Sequence, residues 1–252
     1  MPWAWVAGAS EGLGLAFAEL LAARGHSLVL IARRAVLLED AAARLEKLYG
    51  VRVVVHPADV AADEFPAQLH TWCGETPPAI AVFNAAYAPI GNLVEIPESD
   101  LLRVIDTNVR APLLFARIVG EHMAATGSGA LLLMSSLAGL QGSPRIATYA
   151  ASKAFNIVLA EGLWHELRAR GVNVHVCCAG AVRTPGYAGA SRGEAPGTLD
   201  ADIVARSALD HIGRGPRVTP GWVNRLAALI VGRWLPRRLA IATMANATRE
   251  LD

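Results

Sequence analysis

Two side chains four residues apart offer the most reactive pairing in this chain: Tyr149 and Lys153, in Tyr149-Ala150-Ala151-Ser152-Lys153. On a helix, residues at that spacing share one face, so a phenol and an ammonium project into the same space. A free phenol keeps its proton to a pKa near ~10, whereas a proton donor or acceptor works best near ambient pH. Moving it by about three units means favouring the phenolate by roughly 4 kcal/mol. In a desolvated cleft, a close ammonium joined by a second positive charge supplies stabilisation of that order.

A second group of residues suggests what would be bound there. The segment Ala7-Gly8-Ala9-Ser10-Glu11-Gly12-Leu13-Gly14 spaces its glycines GxxxGxG, between an apolar run (Trp3–Ala7) and a helical pattern over residues 13–24. In a strand–turn–helix, Gly8 permits the tight turn, Gly12 lets the backbone approach a pyrophosphate, and Gly14 allows close helix–sheet packing. Ser10, Glu11 and Leu13, within the turn, complete the expected cofactor contacts. A purely structural turn is the alternative. The next apolar run ends at Ala32-Arg33-Arg34. An enzyme that selects NAD places a carboxylate there, whereas Arg33 and Arg34 suit a 2′-phosphate, so the expected cofactor is NADP(H). Glu11 is a carboxylate near that phosphate position, and a solvated loop charge is the alternative for Arg34.

These residues need elements to position them. Apolar runs at Trp3–Ala7, 51–56, 80–83, 130–135, 172–177 and Ser27–Ala32 are apolar on both faces, as strands of a covered parallel sheet must be. Between them lie helical patterns at 13–24, Ala35–Tyr49, 98–123 and 148–170, with glycines at 25, 50 and 171 as stops. The alternation predicts an α/β fold, a doubly wound central parallel sheet flanked by helices, as a single domain over residues 1–252. Residues 180–199 read as a mobile loop, with 186–199 closing over the substrate. Helices follow over 200–212, 222–235 and 237–249.

At these motifs the chain resembles the short-chain dehydrogenase/reductase family. The YxASK pattern is present, the glycine turn matches TGxxxGxG except that Ala7 replaces threonine, and the match covers residues 2–185. The resemblance implies a Rossmann-type domain that moves hydride between a nicotinamide and a carbonyl or secondary alcohol. It implies further that Ser136, thirteen residues before Tyr149, holds the substrate oxygen, while Ser135 supports the strand end. Asn108 would bend the long helix and order a water beside Lys153, and Lys153 would also grip the nicotinamide ribose. Asp59, with Val60 beside it, would contact the adenine. Asn84, Ala85 and Ala86 stand where the family has NNAG, so Ala86 replaces a glycine. Val182 and Thr184 would reach the carboxamide. Ala179-Gly180 replaces the family's Pro-Gly, a change expected to loosen that turn. The family is often dimeric or tetrameric through two long helices, so a homodimer or homotetramer is expected.

Composition narrows the remaining classes. The chain is 53% hydrophobic and 18% charged, with net charge +1, which gives no electrostatic case for nucleic acid. Cys73, Cys177 and Cys178 cannot make a disulfide framework, and the last two lie in a strand-like run. The seven histidines show no metal-ligand spacing, so no metal is expected. Residues 1–7 lead straight into the fold with no signal-peptide pattern, and no uninterrupted transmembrane length is present. A cytoplasmic protein is expected. Leu137, Leu140, Gln141, Tyr87 and Tyr187 are expected to line the substrate pocket, Gln141 and Tyr187 touching a medium-sized, largely apolar substrate. The apolar-basic stretch 221–250 either packs on the body or another subunit, or attaches to an anionic membrane surface. The competing functions are a non-catalytic cofactor-binding regulator, and an epimerase or dehydratase using the same tyrosine–lysine pair.

Overall fold

The computed structural model describes residues 1–190 and 194–248. Its first half runs β1 (Trp3–Ala7), α1 (Gly12–Ala23), β2 (Ser27–Ala32), α2 (Ala35–Tyr49), β3 (Val53–Pro57), α3 (Phe65–Glu75) and β4 (Pro78–Phe83). Then come α4 (Glu98–Ile105), α5 (Ala111–Thr126), β5 (Gly129–Ser136), α6 (Ala147–Arg168) and β6 (Val172–Ala179). The pair β7 (Val182–Arg183) and β8 (Leu199–Asp200) brackets α7 (Pro185–Ala190). Last are α8 (Ala201–Leu209), β9 (Arg217–Val218), α9 (Trp222–Leu229) and α10 (Arg237–Ala247).

Seven strands pair in parallel in the order β3-β2-β1-β4-β5-β6-β9. This is the expected doubly wound sheet, with its switch point between β1 and β4. Alternate side chains feed two cores. Trp5, Phe83 and Leu133 face Phe115 and Leu69 on one side, while Val6, Leu30 and Val82 face Phe17 and Leu21 on the other. Because both faces are covered, the strands carry no polar alternation, and all six residues of β2 are buried.

The structure corrects several boundaries. α3 is absent from the sequence reading, although Phe65, Leu69, Trp72 and Cys73 are buried at helical spacing. β9 is two residues long and exists only by pairing with Val176 and Cys177, a tertiary cause with no local signal. The predicted helix over 98–123 is α4 and α5 joined by a π turn at Asp106–Arg110. Residues 180–199 are not one loop. They carry α7 and the β7–β8 pair, held by ion pairs from Arg183 to Glu194 and to Asp200. The expectations for 186–199 and for the helix over 237–249 fall partly on residues 191–193 and 249, which lie outside the described residues.

Candidate active site

A cleft of about 1020 Å³ crosses the carboxyl ends of the strands at the switch point, at the upper end of the range of roughly 300–1,000 Å³ usual for small-molecule sites. One end is the β1–α1 turn. Gly8 sits at φ +84, and a Cβ there would lie 2.6 Å from the Ala85 nitrogen. A Cβ on Gly14 would lie 1.8 Å from the Gly8 carbonyl oxygen. That same oxygen accepts from Asn84 Nδ2 at 3.1 Å. The glycines therefore let turn, helix and β4 meet around one carbonyl. At Gly12 a Cβ would press on the Thr184 methyl at 3.0 Å, so this glycine also admits the β7 arm.

Ser10, Glu11, Gly12, Leu13, Arg33 and Arg34 line this end. Arg34 pairs with Glu11 at 2.8 Å and donates to Ser10 Oγ at 2.8 Å. Arg34 is thus a tethered cleft residue, and the Glu11 carboxylate is partnered. Asp59, Val60, Ala85 and Ala86 also line the cleft. Asp59 accepts from the Ala61 nitrogen at 3.1 Å and from Arg103 Nη2 at 2.8 Å. Thr107 Oγ1 is buried on the cleft wall and has no hydrogen-bond partner among the described residues. A glycine-rich cradle, two arginines after β2 and an orphaned hydroxyl fit a phosphorylated dinucleotide.

The other end is built where β5 meets α6. Ser136 closes β5, and Tyr149 and Lys153 stand on the first turns of α6, all three lining the cleft. Lys153 is 3% exposed; its Nζ donates to the Met134 carbonyl at 3.1 Å and lies 5.4 Å from the Tyr149 ring centre. Ser135 Oγ donates to the Lys153 carbonyl at 2.8 Å, the strand-end support expected of it. Gly139 lets the 137–140 turn press on α6, since a Cβ there would lie 2.8 Å from the Ala154 nitrogen.

Burial raises the Tyr149 phenol above its ordinary range, and a hydrogen bond from Ser136 draws it partly back. Burial lowers Lys153 to about 8. In the free chain, desolvation therefore outweighs the ammonium invoked from the spacing, and the phenol keeps its proton. Tyr149 is set as an acid already pointed at by a serine.

Asn108 lies within the π turn and is fully buried. Its Oδ1 accepts from the Tyr87 nitrogen at 2.8 Å, while its Nδ2 donates to the Tyr87 carbonyl at 2.8 Å and Ser152 Oγ at 3.1 Å. Its own carbonyl accepts from Asn156 Nδ2 at 3.2 Å. Asn108 thus ties the strand-β4 loop to α6 beneath the tyrosine.

Val182, Thr184, Tyr87, Leu137 and Tyr187 line the cleft. Gln141 and Leu140 are not part of its wall. Gln141 is buried with Nε2 donating to the Leu137 carbonyl at 3.2 Å, and the Leu140 carbonyl accepts from Arg237 at 3.1 Å. The tight 137–140 turn directs both away from the substrate space. The sequence reading missed Asn224, Ala227, Met244 and Thr248, which the C-terminal helices bring to the cleft. Asn224 also corrects the expected loosening at Ala179-Gly180. It is buried against both Gly180 and Gly197, donating to the Gly197 carbonyl at 2.9 Å and the Pro220 carbonyl at 3.1 Å.

A site of this build, on this sheet order, offers a dinucleotide-sized cleft with a tyrosine, a serine and a lysine at one end. The short chain dehydrogenase family model matches residues 2–195, and the chain belongs to that family. It is 32% identical over 176 residues to a very-long-chain 3-oxoacyl-CoA reductase of Laccaria bicolor, covering 68% of this chain and 52% of the relative. The chain thus spans about half the length of the first curated relatives it matches. Among solved structures it is similar to a short-chain dehydrogenase from Sphingobium yanoikuyae in complex with NADPH (31% identity, TM-score 0.82, covering 92% of this chain and 94% of that one). It also resembles the bulky-bulky ketone specific alcohol dehydrogenase from Comamonas testosteroni (29% identity, TM-score 0.79, 87% and 86%).

Proposed function

We propose that this chain is an NADP(H)-dependent reductase that interconverts a carbonyl and a secondary alcohol on a medium-sized, largely apolar substrate. The observation that carries the reading is the convergence of Ser136, Tyr149 and Lys153 on one cleft with the Gly8–Gly14 cradle. Arg33 and Arg34 would hold the 2′-phosphate, the turn from Gly12 to Leu13 the pyrophosphate, and Lys153 the nicotinamide ribose. When bound, the nicotinamide supplies or accepts the hydride. Ser136 and Tyr149 hydrogen-bond the substrate oxygen, and Tyr149, kept protonated by its burial, delivers the proton as that oxygen gains charge. Lys153 stabilises the phenolate left behind. Leu137, Ile146, Ala227, Met244 and Ala247 give the cleft apolar wall, which supports an apolar substrate, as does the similarity to a very-long-chain 3-oxoacyl-CoA reductase and to a bulky-bulky ketone specific alcohol dehydrogenase.

The test follows absorbance at 340 nm with a ketone panel. NADPH consumption is expected, with kcat/KM higher for NADPH than for NADH. Tyr149→Phe is expected to lower kcat by about 10²–10⁴-fold and leave the Kd for NADPH nearly unchanged. Retained turnover in that variant, or a preference for NADH, overturns the assignment.

A further inference from the structure

The C-terminal helices have an inner and an outer side. α9 turns Asn224 and Ala227 to the cleft. Its opposite side carries Trp222, Leu226 and Leu229, which recur at positions i, i+4 and i+7 and are 72%, 49% and 48% exposed. The π turn Ile230–Trp234 follows directly and adds two more exposed large apolar side chains, Ile230 and Trp234. A monomer seldom presents so many large apolar side chains together without something to cover them.

Charge decides what covers them. Exposed Arg225, Arg233, Arg237 and Arg238 are interleaved with the apolar residues, and none pairs with a carboxylate among the described residues. From residue 211 to residue 249 the chain has seven arginines and no Asp or Glu, although its net charge is only +1. A like copy of this face would meet it with repulsion, since all its charges share one sign. A lipid interface instead offers phosphates to the arginines, headgroup depth to the two tryptophans and acyl chains to the aliphatic residues. We propose that this face docks on an anionic membrane surface. Among the described residues no helix is long and apolar enough to cross a membrane, so α9 lies in the plane of the interface. Because the inner side of the same helices walls the cleft, and taking the reductase reading as given, an apolar substrate would be drawn from the lipid side.

Flotation of the full chain with phosphatidylserine-containing and with pure phosphatidylcholine vesicles, at physiological ionic strength, tests this. The chain is expected to float with the anionic vesicles and not with the neutral ones. The double variant Arg225→Gln/Arg233→Gln should bind about thirtyfold more weakly, and Trp222→Ser/Trp234→Ser at least tenfold more weakly. Both variants should keep the parent melting temperature and NADPH oxidation with a small water-soluble ketone. If the tryptophan variant fails to fold, the arginine variant decides, since its side chains are exposed. A chain that stays unbound with either vesicle, or floats as well after both sets of substitutions, overturns the proposal. So does gel filtration in which the tryptophan variant dissolves an oligomer, which would give the face to a second copy. Flotation needs no turnover, so a failed reductase assignment leaves this result standing, and the reverse.

Discussion

At the residue scale, the lysine one turn along from the tyrosine is buried at the expense of stability. Burial lowers Lys153 to about 8, against ~10.4 in an unfolded chain. The unfolded state therefore binds more protons between those values, and the fold bears a penalty of roughly 3 kcal/mol throughout the range below pH 8. The penalty is relieved as pH rises from about 8 towards ~10.4. Lys153→Met keeps an unbranched stem of similar length and removes the charge. It should raise stability at neutral pH by about 1–3 kcal/mol, or a few degrees in Tm for a chain of this size, while ketone reduction is lost. Thermal melts at pH 7 and pH 10 check it, with the gain confined to the lower pH. A variant less stable than the parent at pH 7 would refute this account. The lysine and tyrosine were legible from their spacing alone. Their pKa directions were not, because desolvation depends on what the fold stacks around them.

At the element scale, the β1–α1 turn shows how little tolerance a site can have. The close approach at Gly14 is to backbone, the Gly8 carbonyl, which cannot rotate aside as a flexible side chain would. Gly14→Ala must push α1 off the sheet and disturb the bond from Asn84. A loss of at least about 3 kcal/mol is expected, with loss of NADPH binding. Gly162→Ala, within α6 and with nothing near its added carbon, should be neutral or stabilising by up to about 1 kcal/mol. Urea melts of the two variants make the comparison, and equal losses would count against the steric argument. Elements with a strong local pattern, the helical period of α2 and the continuous apolar run of β2, could be read from their residues to the exact ends. The π turn that seats Asn108 could not, because its widened hydrogen bonding answers to α6 and the Tyr87 loop packed against it.

At the scale of the whole molecule, β6 and α8 are joined over a histidine. His175 is buried, its Nε2 3.0 Å from the Ala208 carbonyl, and desolvation lowers its pKa to about 4. His211, with its ring centre 5.7 Å away, adds a like charge when protonated. An unfolded chain protonates His175 near 6.5, so stability is complete above that pH and declines as pH falls towards 4, by about 3 kcal/mol. His175→Gln retains an amide donor for Ala208 without a titrating group. Its denaturation free energy should fall less steeply over that window than the parent's, and parallel curves would exclude His175 as the cause. Such a residue reads as an ordinary strand position until α8 folds across it.

What the amino-acid order alone determined here is local and repetitive: both-sided apolar runs, the glycine spacing and the Tyr149–Lys153 interval. Each follows from geometry within a few residues, so no distant partner is needed to read it. Only the tertiary structure decided the rest. Arg34 is held by Glu11, Asn224 clamps Gly180 and Gly197, Gln141 turns from the cleft, and the last two helices wall it. All of these are contacts between segments far apart in the chain or orientations imposed by them, which come into being only when the sheet closes and fixes which surfaces meet.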